Sequence, residues 1–302
     1  MLQKHIIVFI LACLSLTSCA QAGNKQETGL LWKISGNKLE QPSYLFGTHH
    51  LVQLSFLENI DGVEEAFMAT EQTVGEVDMN NMGEMQMQLM MASIMPDGES
   101  YQDLMNEDDR ALLDATLQEY VGAGLNQFGQ MKPAMLNTLL SVMMYKKFYP
   151  SEEAGLSMDE YFQKKANNLT RPTLGLETVQ DQIDVLFGSQ SIERQAESLL
   201  CTIKNIDYGK KQMDNLMTAY YAQDLTAMAK LYEEDDADNP CPSTQEEKDE
   251  LNKERNQVWM EKLPEMMSNK SSFIAVGCLH LVGQDGLINQ LRNAGYKVEP
   301  VK

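Results

Sequence analysis

Apolar residues run through the chain in two rhythms. Leu30 to Ser35 and Ser43 to Gly47 are short apolar and aromatic runs parted by Gly36-Asn37 and Gln41-Pro42, which predicts a hairpin. Helical spacing over Glu58 to Ala69 follows, then a buried strand over Gln72 to Val77. From Met79 to about Thr170 the spacing is helical almost throughout, with Asn106-x-x-Asp109 and Ser157-x-x-Glu160 as helix starts and Pro133 opening another. Strand character returns at Thr173 to Glu177, and Thr178 to about Tyr232 reads as helix. Glu233 to Glu250 reads as an acidic, proline-containing loop, and Glu246 to Leu263 as a helix. An apolar strand, Ser272 to Gly277, a helix over Gln284 to Ala294 stopped by Gly295, and a strand over Tyr296 to Val301 close the chain. Strands at both ends around a helical middle predict an α/β fold: a central mixed sheet with flanking helices and a large helical insertion, about 79–170, as a cap.

Residues 1–18 fit neither rhythm. A polar start with Lys4, the apolar run Ile6 to Leu14 and the string Leu16-Thr17-Ser18-Cys19 have the layout of a lipoprotein signal peptide cut before Cys19. A plain secretory peptide cut elsewhere is the alternative. The apolar run is well short of the ~18 residues that suggest a membrane-spanning helix. The expected product is a bacterial envelope lipoprotein, with acyl chains on Cys19, a polar tether over 19–28 and a domain over 29–302 outside the cytoplasm. A net charge of −20 disfavours nucleic acid and anionic lipid surfaces, leaving the lipid anchor as the expected membrane contact. An oxidising compartment permits a disulfide, expected between Cys201 and Cys241 because Cys278 lies in an apolar strand-like run. Three free buried thiols are the alternative.

Beyond the signal segment the histidines are His49, His50 and His280, each following an apolar strand. Gly47-Thr48-His49-His50 and Gly277-Cys278-Leu279-His280 share one form, in which a strand-end glycine lets the chain turn and the residue three on can face the carboxyl edge of the sheet. Each string alone is short, and a hydrogen-bonded structural histidine is the competing account. Glu76 and Glu177 close two other predicted strands, and parallel strands would bring all four side chains together. Two imidazoles and one or two carboxylates suit Mn2+, Zn2+ or Fe2+, and an uncoordinated carboxylate could act as general base. Acids solvated at the sheet edge are the plainer reading.

Leu31-Trp32-Lys33-Ile34, Ser43 to His50, Val74-Gly75-Glu76-Val77-Asp78, Gly175-Leu176-Glu177-Thr178 with Gln180, Arg255-Asn256, Ala275 to Gly283, Gly286-Leu287 and Gly295-Tyr296-Lys297-Val298 occur in an order that resembles the TraB/GumN family. The resemblance implies an α/β fold related to the Tiki proteases, divalent-metal peptidases with twin Gly-x-x-His motifs. It implies His50 and His280 as metal ligands for an ion of the Mn, Co or Zn class, and Glu76 and Glu177 as ligand or base. Arg255 and Asn256 would donate hydrogen bonds to a carboxylate or an oxyanion, though a surface role for Arg255 competes. His49 stands where the family usually has an apolar residue, which leaves a supporting role or an exchange with His50 open.

Met79, Met82, Met85, Met87, Met90, Met91 and Met95 crowd one predicted helix, for which helix packing is the expectation and an adaptable peptide groove the alternative. The acidic run near Asp235 lacks the spacing of a calcium loop, and Val282 to Gly286 lacks the ending of a phosphate loop. The expected function is a membrane-tethered, metal-dependent hydrolase of exported peptides or proteins. A non-catalytic lipoprotein that sequesters peptides and a haem- or iron-binding lipoprotein are the alternatives.

Overall fold

The computed structural model describes residues 27–151, 155–233 and 237–302. Cys19, the expected signal segment and most of the expected tether therefore lie outside the described residues. Six strands form one sheet: β1 (Leu31–Gly36), β2 (Ser43–Thr48), β3 (Gln72–Gly75), β4 (Thr173–Gly175), β5 (Ser272–Gly277) and β6 (Tyr296–Pro300). Their order is β4-β3-β5-β2-β1-β6. β1 pairs antiparallel with β2 and β6, whereas β4, β3, β5 and β2 pair in parallel, so the sheet is mixed as the sequence predicts. The inner strands β3 and β5 are buried almost along their length, which explains their continuous apolar character.

Phe46 and Phe273 lie on one face of the sheet, stacked at 5.9 Å, and Phe67 and Phe162 pack on them. Phe162 belongs to the helix Met158–Asn168, whose cap is Ser157 accepting from the Glu160 N–H. That helix packs directly on the sheet, although its sequence falls within the stretch read as the cap. A second apolar core, separate from that of the sheet, joins Met95, Leu113, Leu117, Leu136, Leu140 and neighbours to Ala196, Leu199 and Ile203. The cap thus draws one wall from the helix Ile192–Lys204, beyond the predicted insertion.

Several local expectations change. The helix expected from Glu58 begins at Val63, behind a short tight turn over Leu54–Asn59. The long helix from Thr178 divides into Val179–Phe187, Ile192–Lys204, Ile206–Tyr221 and Leu225–Glu233. Ser191 caps the second of these by accepting from the Arg194 N–H, a local bond that competes with an unbroken helix. The helix Met82–Ala92 has no fully buried residue, Met82 and Met85 being half-buried, so packing accounts for its methionines only in part. Met87, Met90 and Met91 are exposed, and among those seven residues Met95 alone is buried.

Cys201 and Cys241 are joined in a disulfide, and Cys278 is a buried thiol that burial pushes up to about 12. Arg194 adds a fork onto Glu247 at 2.7 and 3.0 Å, so the cap is tied twice to the segment entering the last long helix. With its cysteines 40 positions apart in sequence, the disulfide closes a substantial loop. Replacing both cysteines with serine is expected to lower the unfolding free energy by about 3 kcal/mol. Urea unfolding beside the natural chain measures this, and an unchanged midpoint would refute it.

Candidate functional site

Because β4, β3, β5 and β2 are parallel, their carboxyl ends share one edge of the sheet. Read along it, the side chains that follow these strands are Glu177, Glu76, His280, and then His49 and His50. The connection leaving β3 runs outward to β4, and the one leaving β5 runs the other way to β6, so the crevice between β3 and β5 is a topological switch point. Glu76 and His280 follow the two strands that flank it.

Beyond the paired strands the backbone keeps Glu76 and Glu177 together, because the Glu177 N–H donates to the Glu76 carbonyl at 2.9 Å. Gly175 permits this: a Cβ there would lie 2.7 Å from the Asp78 nitrogen and 2.9 Å from the Glu177 carbonyl. Gly277 does the same for the carboxylate. Its N–H donates to Glu76 Oε1 at 2.8 Å, and a Cβ would crowd that oxygen at 3.2 Å. Gln182, on the helix capped by Thr178, donates to Glu76 Oε2 at 3.2 Å.

Arg255 closes the cluster. Nε and Nη2 form a fork onto Glu177 at 3.1 and 2.7 Å, Nη2 also donates to Glu76 Oε2 at 2.6 Å, and Nη1 donates to Leu251 O and His280 Nε2, both at 3.1 Å. The guanidinium lies 4.8 Å over the Trp259 ring, and the Trp259 indole N–H donates to Glu177 Oε2 at 3.1 Å. The helix Glu254–Asn269 carries Arg255, Asn256 and Trp259, and a wide π-helical turn, Asp249–Lys253, leads into it. Such turns recur at functional sites.

Asn256 fixes the state of His280. Its Nδ2 donates to Asn252 Oδ1, His280 O and Asp285 O, so its Oδ1 must accept, and it faces His280 Nδ1 at 2.8 Å. The imidazole proton is therefore on Nδ1, and Nε2 presents a lone pair. Burial holds His280 down at about 4, opposed by Glu76 and helped by Arg255. Burial alone would raise Glu76, but His280, Arg255, His50 and the Gly277 N–H outweigh it and hold the carboxyl at about 2.

His50 stands apart from this cluster. Its Nδ1 meets Asp159 Oδ2 at 2.8 Å, while Thr48 donates to the other oxygen of Asp159 at 2.7 Å. Its side chain is 63% exposed, against 8% for His280. The Asp159 hydrogen bond raises His50 to about 9. His49 turns the other way: Nδ1 accepts from the Leu51 N–H at 3.2 Å, its ring packs near Tyr145 and Tyr220, and burial, with His50 adding, lowers it to about 4. It borders a cleft of about 320 Å³ against the cap, lined also by Leu51, Asn137, Thr138, Val142 and Tyr145. Because the folded pKa of His50 lies above the ordinary 6.5, its pairing stabilises fully below pH 6.5 and is lost as pH rises through about 9. A histidine NMR titration should find His50 charged and His280 neutral at pH 7.5. A His50 midpoint near 6.5 would refute the pairing.

The expected residues thus separate into two groups. Glu76, Glu177, His280, Arg255 and Asn256 come together, and His50 lies one strand further along the edge on Asp159. Among the described residues, no three His, Cys, Asp or Glu side chains are spaced to hold a metal ion together. The donor set nevertheless suits one in kind: two carboxylates and an unprotonated imidazole nitrogen surround one cationic group, the Arg255 guanidinium. Sequence reasoning missed Asp159, Gln182, Trp259 and Asn252. Asp159 follows the helix-starting Ser157, which was the one available signal.

A sequence model of the TraB/PrgY/gumN family matches residues 30–300. The chain belongs to this family. Among curated proteins, it is similar to the human metalloprotease TIKI1, 23% identical over 322 residues, covering 89% of this chain and 61% of TIKI1. The TraB/PrgY/gumN chain therefore spans less than two thirds of that relative's length. No solved structure matches it.

Proposed function

We propose that this TraB/PrgY/gumN protein is a metal-dependent hydrolase of peptide bonds. In this reading it acts on exported polypeptides outside the cytoplasm, held at a membrane by acyl chains on Cys19. The observation that carries the chemistry is the convergence of Glu76, Glu177, His280 and Arg255 at the switch point of the sheet. Similarity to TIKI1, named a metalloprotease, supports the peptidase reading. The Cys201–Cys241 disulfide supports an oxidising compartment. Among the described residues no helix is long and apolar enough to cross a membrane, and attachment rests on Cys19 in the sequence.

In this reading Glu76, Glu177 and His280 would hold the ion, with His50 one strand further along the edge. When bound, a divalent metal supplies Lewis-acid polarisation of a carbonyl and a more acidic water. The chain's own residues do the rest. Asn256 keeps the His280 proton on Nδ1 and the lone pair on Nε2, an outer hydrogen bond of the kind that orients ligand histidines. Glu76 is ionised and oriented by Gly277 and Gln182, and its carboxylate oxygen left uncoordinated would accept a proton from the attacking water. Arg255 offers N–H groups to the oxyanion that forms at the carbonyl carbon.

The test is to incubate the detergent-purified full chain with a mixture of unstructured peptides and read the products by mass spectrometry. Cleavage lost on chelation and restored by Mn2+ is the expected result. Peptide binding without cleavage under any metal would replace the hydrolase with a sequestering protein.

A further inference from the structure

Every N–H of the Arg255 guanidinium has an acceptor, and three of its acceptor groups are the ones the metal reading needs: Glu177, Glu76 and His280. The fourth is the Leu251 carbonyl. The fork onto Glu177 and the aromatic face of Trp259 below it make this a built cradle for one planar cation. The cradle has two carboxylates to one guanidinium, and His280 offers a lone pair and no charge. It is thus one positive charge short of neutral, the charge a divalent ion in place of the guanidinium would add. Glu76 Oε1, which Arg255 does not touch, already lies 3.9 Å from His280 Nε2. Two donors are therefore nearly in place, and the Arg255 side chain holds the remaining lone pairs.

We propose that Arg255 is a resident cation that competes with a divalent metal for Glu76, Glu177 and His280, and that the metal enters as the guanidinium swings out of the cradle. This rests on reading the cluster as a metal centre. Its consequence is a site that holds itself closed to metal. A ligand that binds only the fraction of molecules with Arg255 displaced has its affinity reduced by that fraction. Removing the competitor then tightens binding without adding any donor, which a supporting role for Arg255 would not do. The displaced guanidinium is left free to take the oxyanion of a substrate, so one side chain closes the empty site and serves the filled one.

The test measures Mn2+ binding alone, by isothermal titration of the metal-depleted full chain, with thermal melts to verify folding. Arg255→Met, which brings no oxygen or nitrogen donor, is expected to bind one Mn2+ at least about tenfold more tightly than the natural chain. Adding Glu76→Gln should abolish the gain. In Arg255→Ala, millimolar guanidinium chloride should weaken Mn2+ binding where the same concentration of potassium chloride does not. Arg255→Lys keeps a charge in the cradle but lacks the fork, so it protects the fold and should still bind more tightly than the natural chain. Equal or weaker binding in a folded Met or Lys variant overturns the proposal, as does a gain that survives Glu76→Gln. Tighter binding with no peptide cleavage in any form leaves the competition standing and removes the peptidase reading. Mn2+-dependent cleavage by the natural chain, with no tightening in the variants, does the reverse.

Discussion

Arg255→Ala should lower the unfolding free energy by about 3–5 kcal/mol at neutral pH, the largest loss of stability expected from a single change in the cluster. The reason is what remains behind. Glu76 and Glu177 have side chains only 10% and 5% exposed, and without the guanidinium each loses its charged partner while still out of water. Pairs of this kind are costly to break because of the uncompensated charge, more than because of the bond itself. Adding Glu76→Gln and Glu177→Gln should therefore return most of the loss, since a neutral amide needs no counter-charge. The pH dependence has a defined sign. The folded pKa of Glu76 lies below its ordinary value, so its contribution is present above about pH 4.5 and is lost as pH falls toward 2. The deficit of Arg255→Ala relative to the natural chain should shrink over that fall, as the natural chain loses what the variant already lacks. Urea unfolding at pH 7 and pH 3 measures both effects. A deficit under about 1 kcal/mol at pH 7, the worth of a surface pair, would mean that the carboxylates are solvated and the cluster is loose.

What the sequence made legible, and what it did not, divides along the same physical line. The strands with their terminal Gly-x-x-His strings could be read because apolar runs ending in glycine carry their own signal, and a parallel arrangement sends their ends to one edge. Glu76 and Glu177 followed from the same logic, as last residues of predicted strands. The partner of each group could not be read, because partners come from elements far away in the chain. Asp159 reaches His50 across 109 residues, and Arg255 reaches Glu76 across 179. A Gly-x-x-His string is blind to which side its imidazole will turn. The first string lies one strand further along the edge than the second, so His50 pairs with a helix packed on the sheet and not with the cluster. The methionine-rich helix misled for a different reason: helical spacing of apolar residues predicts burial only where another surface is available to cover them. Here Met87, Met90 and Met91 stay more than half exposed.

His280→Asn should reduce kcat/KM for peptide cleavage by about a thousandfold or more, equivalent to about 4 kcal/mol of transition-state stabilisation. Asparagine is chosen because its amide N–H can still donate to Asn256 Oδ1, as His280 Nδ1 does at 2.8 Å. It cannot supply the Nε2 lone pair that now accepts from Arg255. The variant therefore removes one atom's chemistry and retains the outer hydrogen bond, and its fold should survive with a reduced melting temperature from lost contact with the Trp259 ring. Asn256→Ala makes the complementary cut. It leaves Nε2 in place but frees the Nδ1 proton to move, so the lone pair faces the cluster only part of the time. A loss of about ten- to a hundredfold is expected there, the usual size for removing a group that orients a ligand histidine. The order matters more than either value. If Nε2 is the reacting feature, His280→Asn must be the worse variant, and the double variant should be no worse than His280→Asn alone, because Asn256 acts only through the imidazole. If the two losses multiplied instead, Asn256 would be acting on substrate directly. A His280→Asn variant with full activity would remove His280 from the chemistry and leave the Arg255 cluster as structure alone.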